Sequence, residues 1–515
     1  MRSTFHGLEV SKRGIFAQQT ALNTVSHNIA NANTEGYTRQ RANMKATTGL
    51  PYPGMEAAIE PGILGTGVQV TDLQRLREDF LDLQFRNENK HFGFYEAKSD
   101  GLKKIETIMN EPSESGLQKV MDQFWQSWQD LTKEPNSQAA RAVVRQRAIA
   151  IAETFSSVNT SIKELRSDLN DVLQTRVSEA NSIARQISEL NTQISDLVPH
   201  GYTPNDLFDQ RDLLLDKLSK LVEVNVTTST QGMVNVTMEG QDLVVGRTSR
   251  PLATVQNTST GLVDITLDSQ LIVPQNGALA GTLQIRGIAQ VDANGNVTYS
   301  GAIPDVQKRL DLLAVNLTQQ LNDIHRAGLN LDDISAKSTV PSDIPFFVNA
   351  DSLSTDPNTK VYPTNAGNIT INPEILKTLN KIAAAKPDPN ANPPGTSYEG
   401  DPRNALDIAA IKFKIIQAGN GPTDLPETST LDDFYRYSIA QLGIDSQEAT
   451  RMQKNTTVLV GTVDSQRQSV SGVSLDEEMA EMLKYQKAYS AAARMMTAVD
   501  EVLDKIINGT GRVGL

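Results

Sequence analysis

The residues to weigh first are those whose type and spacing could carry chemistry. The chain has five histidines, His6, His27, His91, His200 and His325, and no cysteine. No two histidines stand four apart and H-E-x-x-H is absent, so no helix face offers two imidazoles to one zinc ion. Without cysteine there can be no disulfide, thiolate nucleophile or thiolate-bound metal. The glycine-rich hexapeptide GTGRVG, Gly509 to Gly514, fits G-x-G-x-x-G. A dinucleotide cradle, however, follows a strand and opens a helix, whereas this copy trails a helical run. GILGTG, Gly62 to Gly67, lacks the Lys-Ser/Thr of a phosphate loop and reads as a turn. Glu477 and Glu478 fall in the first turn of a helix, where the helix dipole and solvation account for them. Phe124 and Trp128 in FWQSWQD share one helical face and read as core. The expectation is therefore a protein with no catalytic residue, no cofactor and no metal site, and not an enzyme.

Composition narrows the class further. The chain has 515 residues with 38% hydrophobic and only 5% aromatic content, which suits long, thin, helix-rich elements. A net charge of -13 argues against a phosphate-neutralising surface, so no nucleic-acid partner is expected. No run approaches the roughly 18 apolar residues of a membrane span, and MRSTFHGLEVSKRG lacks the apolar region of a Sec signal. Neither membrane insertion nor a cleaved signal peptide is expected.

What remains is periodicity, and it is strongest at the two ends. Leu8, Ile15, Leu22 and Ile29 recur every seven residues and draw a narrow apolar row along a helix of about 25 residues. HNIANANTEGYTRQ, His27 to Gln40, then ends that helix, since Asn side chains compete with the backbone ladder and Gly36 accepts left-handed backbone. At the other end Leu475, Met482, Tyr489, Met496 and Leu503 also recur every seven, with Met479, Ala493 and Ile507 offset, and S-x-x-E from Ser474 to Glu477 predicts a capping box. The simplest arrangement pairs the two terminal helices with each other. Their apolar area is small against the entropy of ordering about 70 residues, so these ends should be marginal alone and order when further copies cover them.

Between the ends the pattern is helical, then β, then mixed. The expected fold is mainly α with β insertions: terminal coiled-coil helices, a long helical bundle, a small antiparallel β domain and a mixed outer domain. Residues 1–45 form the N-terminal helix and turn, and 46–222 the bundle, whose longest helix runs from about Pro135 to Leu197 with a stutter between Val172 and Ile183. The helix from Asn205 to Val222 closes it. Residues 223–303 read as the β domain, with LVDITLD and LQIRGIA among its strands. A helix at 304–329 returns to the bundle, and 330–429 is an inserted mixed domain with a strand at NITIN and a short helix near Ala405 to Lys414. Residues 430–473 are the helical return, opened by T-L-D-D at Thr430, and 474–515 hold the C-terminal helix.

ALNTVSHNIANANTEGYTRQ, Ala21 to Gln40, together with SGVSLDEEMAEMLKYQKAYSAAARMMTAVDEVLDKII, Ser471 to Ile507, resembles the paired terminal signatures of bacterial flagellar axial proteins. DLFDQRDLLLDKLSKLV after a long helical run is similar to the flagellin-like helical domain, which favours the hook-associated members of that family. The resemblance implies a structural subunit at the junction of hook and filament. It also implies a homo-oligomeric ring or helical assembly beside hook protein and, on the filament side, a second hook-associated junction protein. Secretion would use the flagellar type III export apparatus with a dedicated export chaperone, placing the protein outside the cell. Leu8, Ile15, Leu22, Ile29, Leu475, Met479, Met482, Met496 and Leu503 are the candidate assembly interface. A hook or rod protein of the same family, and a non-flagellar coiled-coil scaffold, are the alternative readings.

Overall fold

The structure is a computed structural model and describes residues 5–49, 65–257, 261–291, 297–353, 355–356, 358–415 and 429–509. GTGRVG after Gly509 and the start of GILGTG lie outside the described residues. The architecture is mainly α with small antiparallel β insertions.

Helix α1 (His6–Ala30) leads into a two-stranded antiparallel ribbon, β1 (Gln40–Ala46) and β2 (Val68–Arg75). Then come α2 (Asp79–Met109), α3 (Leu117–Lys133) and α4 (Gln138–Leu197). Ser137 caps α4 by accepting from the Ala140 amide, and its 60 residues span roughly 90 Å. The buried row steps by four through Leu165, Leu169, Leu173 and Val177, the extra advance that defines a stutter. Arg176 sits beside that row because its guanidinium leaves the helix to donate to the Ala278 carbonyl at 2.8 Å. Helix α5 (Asn205–Leu221) folds back along α4.

Two small sheets follow: β3 (Asn225–Thr228), β4 (Val234–Met238), β5 (Gln241–Val245) and β6 (Thr248–Ser249), then β7 (Ala253–Gln256), β8 (Val263–Leu267) and β9 (Gln270–Ile272). The expected LQIRGIA strand is a correction. Its first four residues end helix α6 (Gly277–Arg286), and only the residues after Gly287 enter β10 (Ile288–Val291), paired with β11 (Val297–Ser300). Helix α6 is buried on nearly every side, so its sequence shows no polar face to mark a helical period. Small residues permit this burial: a Cβ at Gly281 would lie 2.5 Å from the Phe94 carbonyl oxygen.

Helix α7 (Ala302–Ala327) returns to the bundle. The mixed region holds α8 (Leu331–Ser335), β12 (Phe347–Asn349), α9 (Ala350–Leu353), β13 (Ile369–Ile371) within NITIN, α10 (Pro373–Lys377) and α11 (Arg403–Ala409). Helix α12 (Leu431–Ser471) starts at Thr430, whose hydroxyl accepts from the Asp433 amide, as T-L-D-D predicts. It runs antiparallel to α2, with Ser99 Oγ and Thr450 Oγ1 3.1 Å apart, and Tyr435 donating to Glu111 at 3.0 Å. Helix α13 (Leu475–Asp504) follows after three residues. Ser474 makes no side-chain cap there, a second correction.

Two cores hold these elements. One gathers Phe124, Trp128, Phe155, Phe346 and Phe347 with α7, α11 and α12; the other joins the C-terminal half of α4 to α5, α6 and the first two sheets. Phe124 and Trp128 meet edge to face in the first, at 6.3 Å between ring centroids.

Candidate functional site

The terminal helices α1 and α13 form an antiparallel hairpin whose seam is built of small residues. A Cβ added at Gly7 would lie 3.2 Å from Val499 Cγ2, and one at Gly14 would lie 3.6 Å from Ala492 Cβ. Two heptads further down, Asn28 donates to Glu478 at 2.9 Å. Gly7, Gly14, Ala21 and Asn28 recur every seven residues, as do Val499, Ala492, Tyr485 and Glu478, so heptad faces heptad. Ser11, Ala21, Val25 and Asn28 are buried. Small residues let the two backbones approach closely along this line.

The base of the hairpin is a polar knot tied by the segment that ends α1. Asn28 uses all its hydrogen-bonding capacity: its amide donates to the Gln40 carbonyl (2.8 Å) and Glu478, and its oxygen accepts from the Gln40 amide (3.0 Å) and the Tyr37 hydroxyl (2.8 Å). Arg39 donates to Glu478 and Glu477, both at 2.6 Å, and its backbone amide to the Ser471 carbonyl. Burial alone would lower the Arg39 pKa, but the two glutamates hold it above its ordinary value. Burial, with Asp206, Asp209 and Glu478 nearby, pushes the Tyr37 phenol far up, so it stays a hydrogen-bond donor. Gly36, at φ +80°, lets the loop turn tightly over Leu213.

Helix α5 anchors this knot to the bundle. Asp206, Asp209, Asp212 and Asp216 line one side of it. Asp206 accepts from Gln40 (2.9 Å), and Asp209 from the Thr38 amide and Arg75 (both 2.9 Å). Asp212 accepts from Arg75 and Asp216 from Arg86, while Arg467 of α12 pairs with Asp216, and Arg77 makes a two-pronged bond to Asp82. Burial would raise the Asp212 pKa, but Arg77, Arg75, Arg211 and Arg86 together hold it below its usual value. For Asp209 burial wins over its partners and the pKa rises. This buried ion cluster joins the ribbon, α2, α5 and α12.

The predicted apolar rows fall beside the seam. Leu8, Ile15, Leu22 and Ile29 each follow a seam residue by one position and are half-buried. Met482 and Met496 are half-buried and Leu503 is buried, whereas Leu475 and Met479 are 49% and 51% exposed. The seam itself escaped an apolar reading because its residues are Gly, Ser and Ala, although their spacing was visible. Glu478 was taken for a solvated first-turn carboxylate, yet it is 2% exposed. Among the described residues no group of three or more His, Asp or Glu could hold a metal ion, and no helix is long and apolar enough to cross a membrane.

Three family models match the chain: the flagellar hook-associated protein FlgK helical domain over residues 102–338, the flagella basal body rod protein over 8–38, and the flagellar basal body rod FlgEFG protein C-terminal region over 464–509. The last two coincide with α1 and its turn, and with α13. Flagellar hook-associated protein 1 of Bacillus subtilis strain 168 is 35% identical over 99% of this chain and 99% of its own length. That of Salmonella typhimurium is 26% identical over 96% of this chain and 98% of its own. The flagellar hook junction protein FlgK from Burkholderia pseudomallei shares the fold, with a TM-score of 0.57 at 18% identity, over 75% of this chain and all of that one. The chain belongs to the flagellar hook-associated protein 1 family.

Proposed function

We propose that the chain is a structural subunit of the junction between hook and filament, assembling with further copies through its terminal hairpin. The observation that carries this is the apolar surface that α13 leaves exposed. Leu475, Met479, Leu483, Met495 and Val502 lie between 49% and 60% exposed along this one helix. Phe16 on α1 adds to the uncovered surface at 57%. A soluble monomer gains nothing by holding so many apolar side chains in water, and each buried on assembly contributes about 1.5–3 kcal/mol at most. Leu8, Ile15, Leu22, Ile29, Leu475, Met479, Met482, Met496 and Leu503 then face the inside of a tube or ring, with the β and mixed regions outward. Hook protein lies on one side and a second hook-associated protein on the other. The subunit leaves the cell by the flagellar type III route, escorted by an export chaperone. Deletion of the gene followed by electron microscopy tests this reading. Bare hooks, with filament monomer lost to the medium, are expected; normal filaments overturn it, and loss of the hook itself reassigns the chain to the rod or hook.

A further inference from the structure

Sliding α13 along α1 by seven residues leaves the small-residue seam almost unchanged. Gly7 would meet Ala492 where it now meets Val499, and Gly14 would meet Tyr485; in the opposite direction Gly14 would meet Val499. The spacing of seven on both helices therefore does not by itself select one register. Gln18 does not select it either, because its Oε1 is buried without a hydrogen-bond partner in the observed register. The chain connection limits a slip without choosing the partners along the seam. Only three residues, 472–474, join α12 to α13, so a slip of about 10 Å away from the bundle must also draw out the first turn of α13, the turn that carries Glu478. One contact does distinguish the registers. Glu478 is buried, and its two oxygens are taken up by Asn28 and Arg39. A slip would carry this carboxylate to Ala21 or beyond the end of α1, away from both Asn28 and Arg39.

We infer that Glu478 determines the axial register of α13 on α1, acting as the positioning residue of the terminal hairpin. The consequence rests on the proposed assembly role: a one-heptad slip displaces the exposed row of α13 by about 10 Å relative to Phe16 and misaligns the surface that other copies must cover.

The cysteine-free chain allows a direct test by cross-linking the purified full-length protein. Gly14→Cys with Ala492→Cys reports the observed register, its 3.6 Å Cβ separation suiting a disulfide. Gly14→Cys with Val499→Cys, and Gly14→Cys with Tyr485→Cys, report the two slips. With Glu478 in place, only the first pair should oxidise within the monomer. In the Glu478→Ala background its yield should fall several-fold and a slipped pair should appear, while Glu478→Gln, which can still bond Asn28, retains the native pair. An unchanged pattern in Glu478→Ala overturns the inference. So does loss of every cross-link with the bundle still folded by circular dichroism, since Glu478 would then hold the helices together without choosing their alignment. The junction reading is tested separately by the morphology of deletion cells.

Discussion

Asn28 donates a hydrogen bond at 2.9 Å to Glu478, 450 residues later in the chain, and both side chains are buried. This bond closes the loop between the two ends of the polypeptide. Removing the amide in Asn28→Ala leaves Glu478, the Gln40 backbone and Tyr37 each short of a partner, at about 1–3 kcal/mol for each group left unsatisfied. Hydrogen exchange should rise at residues 24–40 and 471–482 while the α3–α4–α7 core stays protected. Asn28→Asp should be worse, because it sets a second carboxylate against Glu478.

The arginine–aspartate cluster predicts a distinctive salt response. Asp216 is shared by Arg86 and Arg467, all three side chains being at most 16% exposed. Asp216→Ala removes the short partner of both arginines and leaves Arg86 with Asp212 at 3.9 Å and Arg467 with Asp464 at 3.0 Å, so it should cost about 1–3 kcal/mol in urea unfolding. Between 0.1 and 1 M salt the wild-type contribution should change little, since buried pairs are poorly screened. A strong salt dependence of this difference would show that water reaches the cluster.

His325 predicts the acid limb of stability. It is buried, its Nδ1–H donating to the Ile344 carbonyl at 2.7 Å and its Nε2 accepting from the Ala383 amide at 3.0 Å, an arrangement only neutral imidazole can make. Burial lowers its pKa to about 4, opposed by the Ile344 hydrogen bond and aided by nearby Arg141. The unfolded chain therefore takes up a proton near pH 6.5 that the folded chain refuses until about pH 4. The associated stability is complete above pH 6.5 and is lost as pH falls toward 4, by about 3 kcal/mol. His325→Gln should flatten the urea midpoint across that window relative to wild type.

The surface rows predict a separation of assembly from folding. Met479→Asp and Leu483→Asp change side chains already exposed in the monomer, so thermal unfolding should move by no more than about 0.5 kcal/mol. Incorporation into sheared flagella should nevertheless fall sharply. Leu22→Asp and Met482→Asp, half-buried in the hairpin, should also impair assembly more than folding of the bundle. Equal loss of monomer helicity would argue that these rows serve the isolated chain.

Much of this molecule was legible in its sequence because long helices write their period into it. The helices α1, α2, α4, α7, α12 and α13 follow from apolar steps of three and four, and the threonine cap of α12 from T-L-D-D. Helix α6 was not legible, since burial on nearly every side erases the polar face that marks a period. The ladder on α5 was not legible either, because Asp209, Asp212 and Asp216 look solvated until Arg75, Arg77, Arg86 and Arg467 arrive from elsewhere in the chain.

The sequence by itself determined that two slender helices stand at the ends and that HNIANANTEGYTRQ halts the first. These are local properties, set by spacing and backbone preference along one stretch of chain. Only the tertiary structure decided that Gly7 and Gly14 of α1 face Val499 and Ala492 of α13, that Asn28 is a hub, and that Glu478 is buried. Such choices depend on which distant side chain supplies the missing hydrogen bond or counter-charge, and a linear pattern carries no record of that partner.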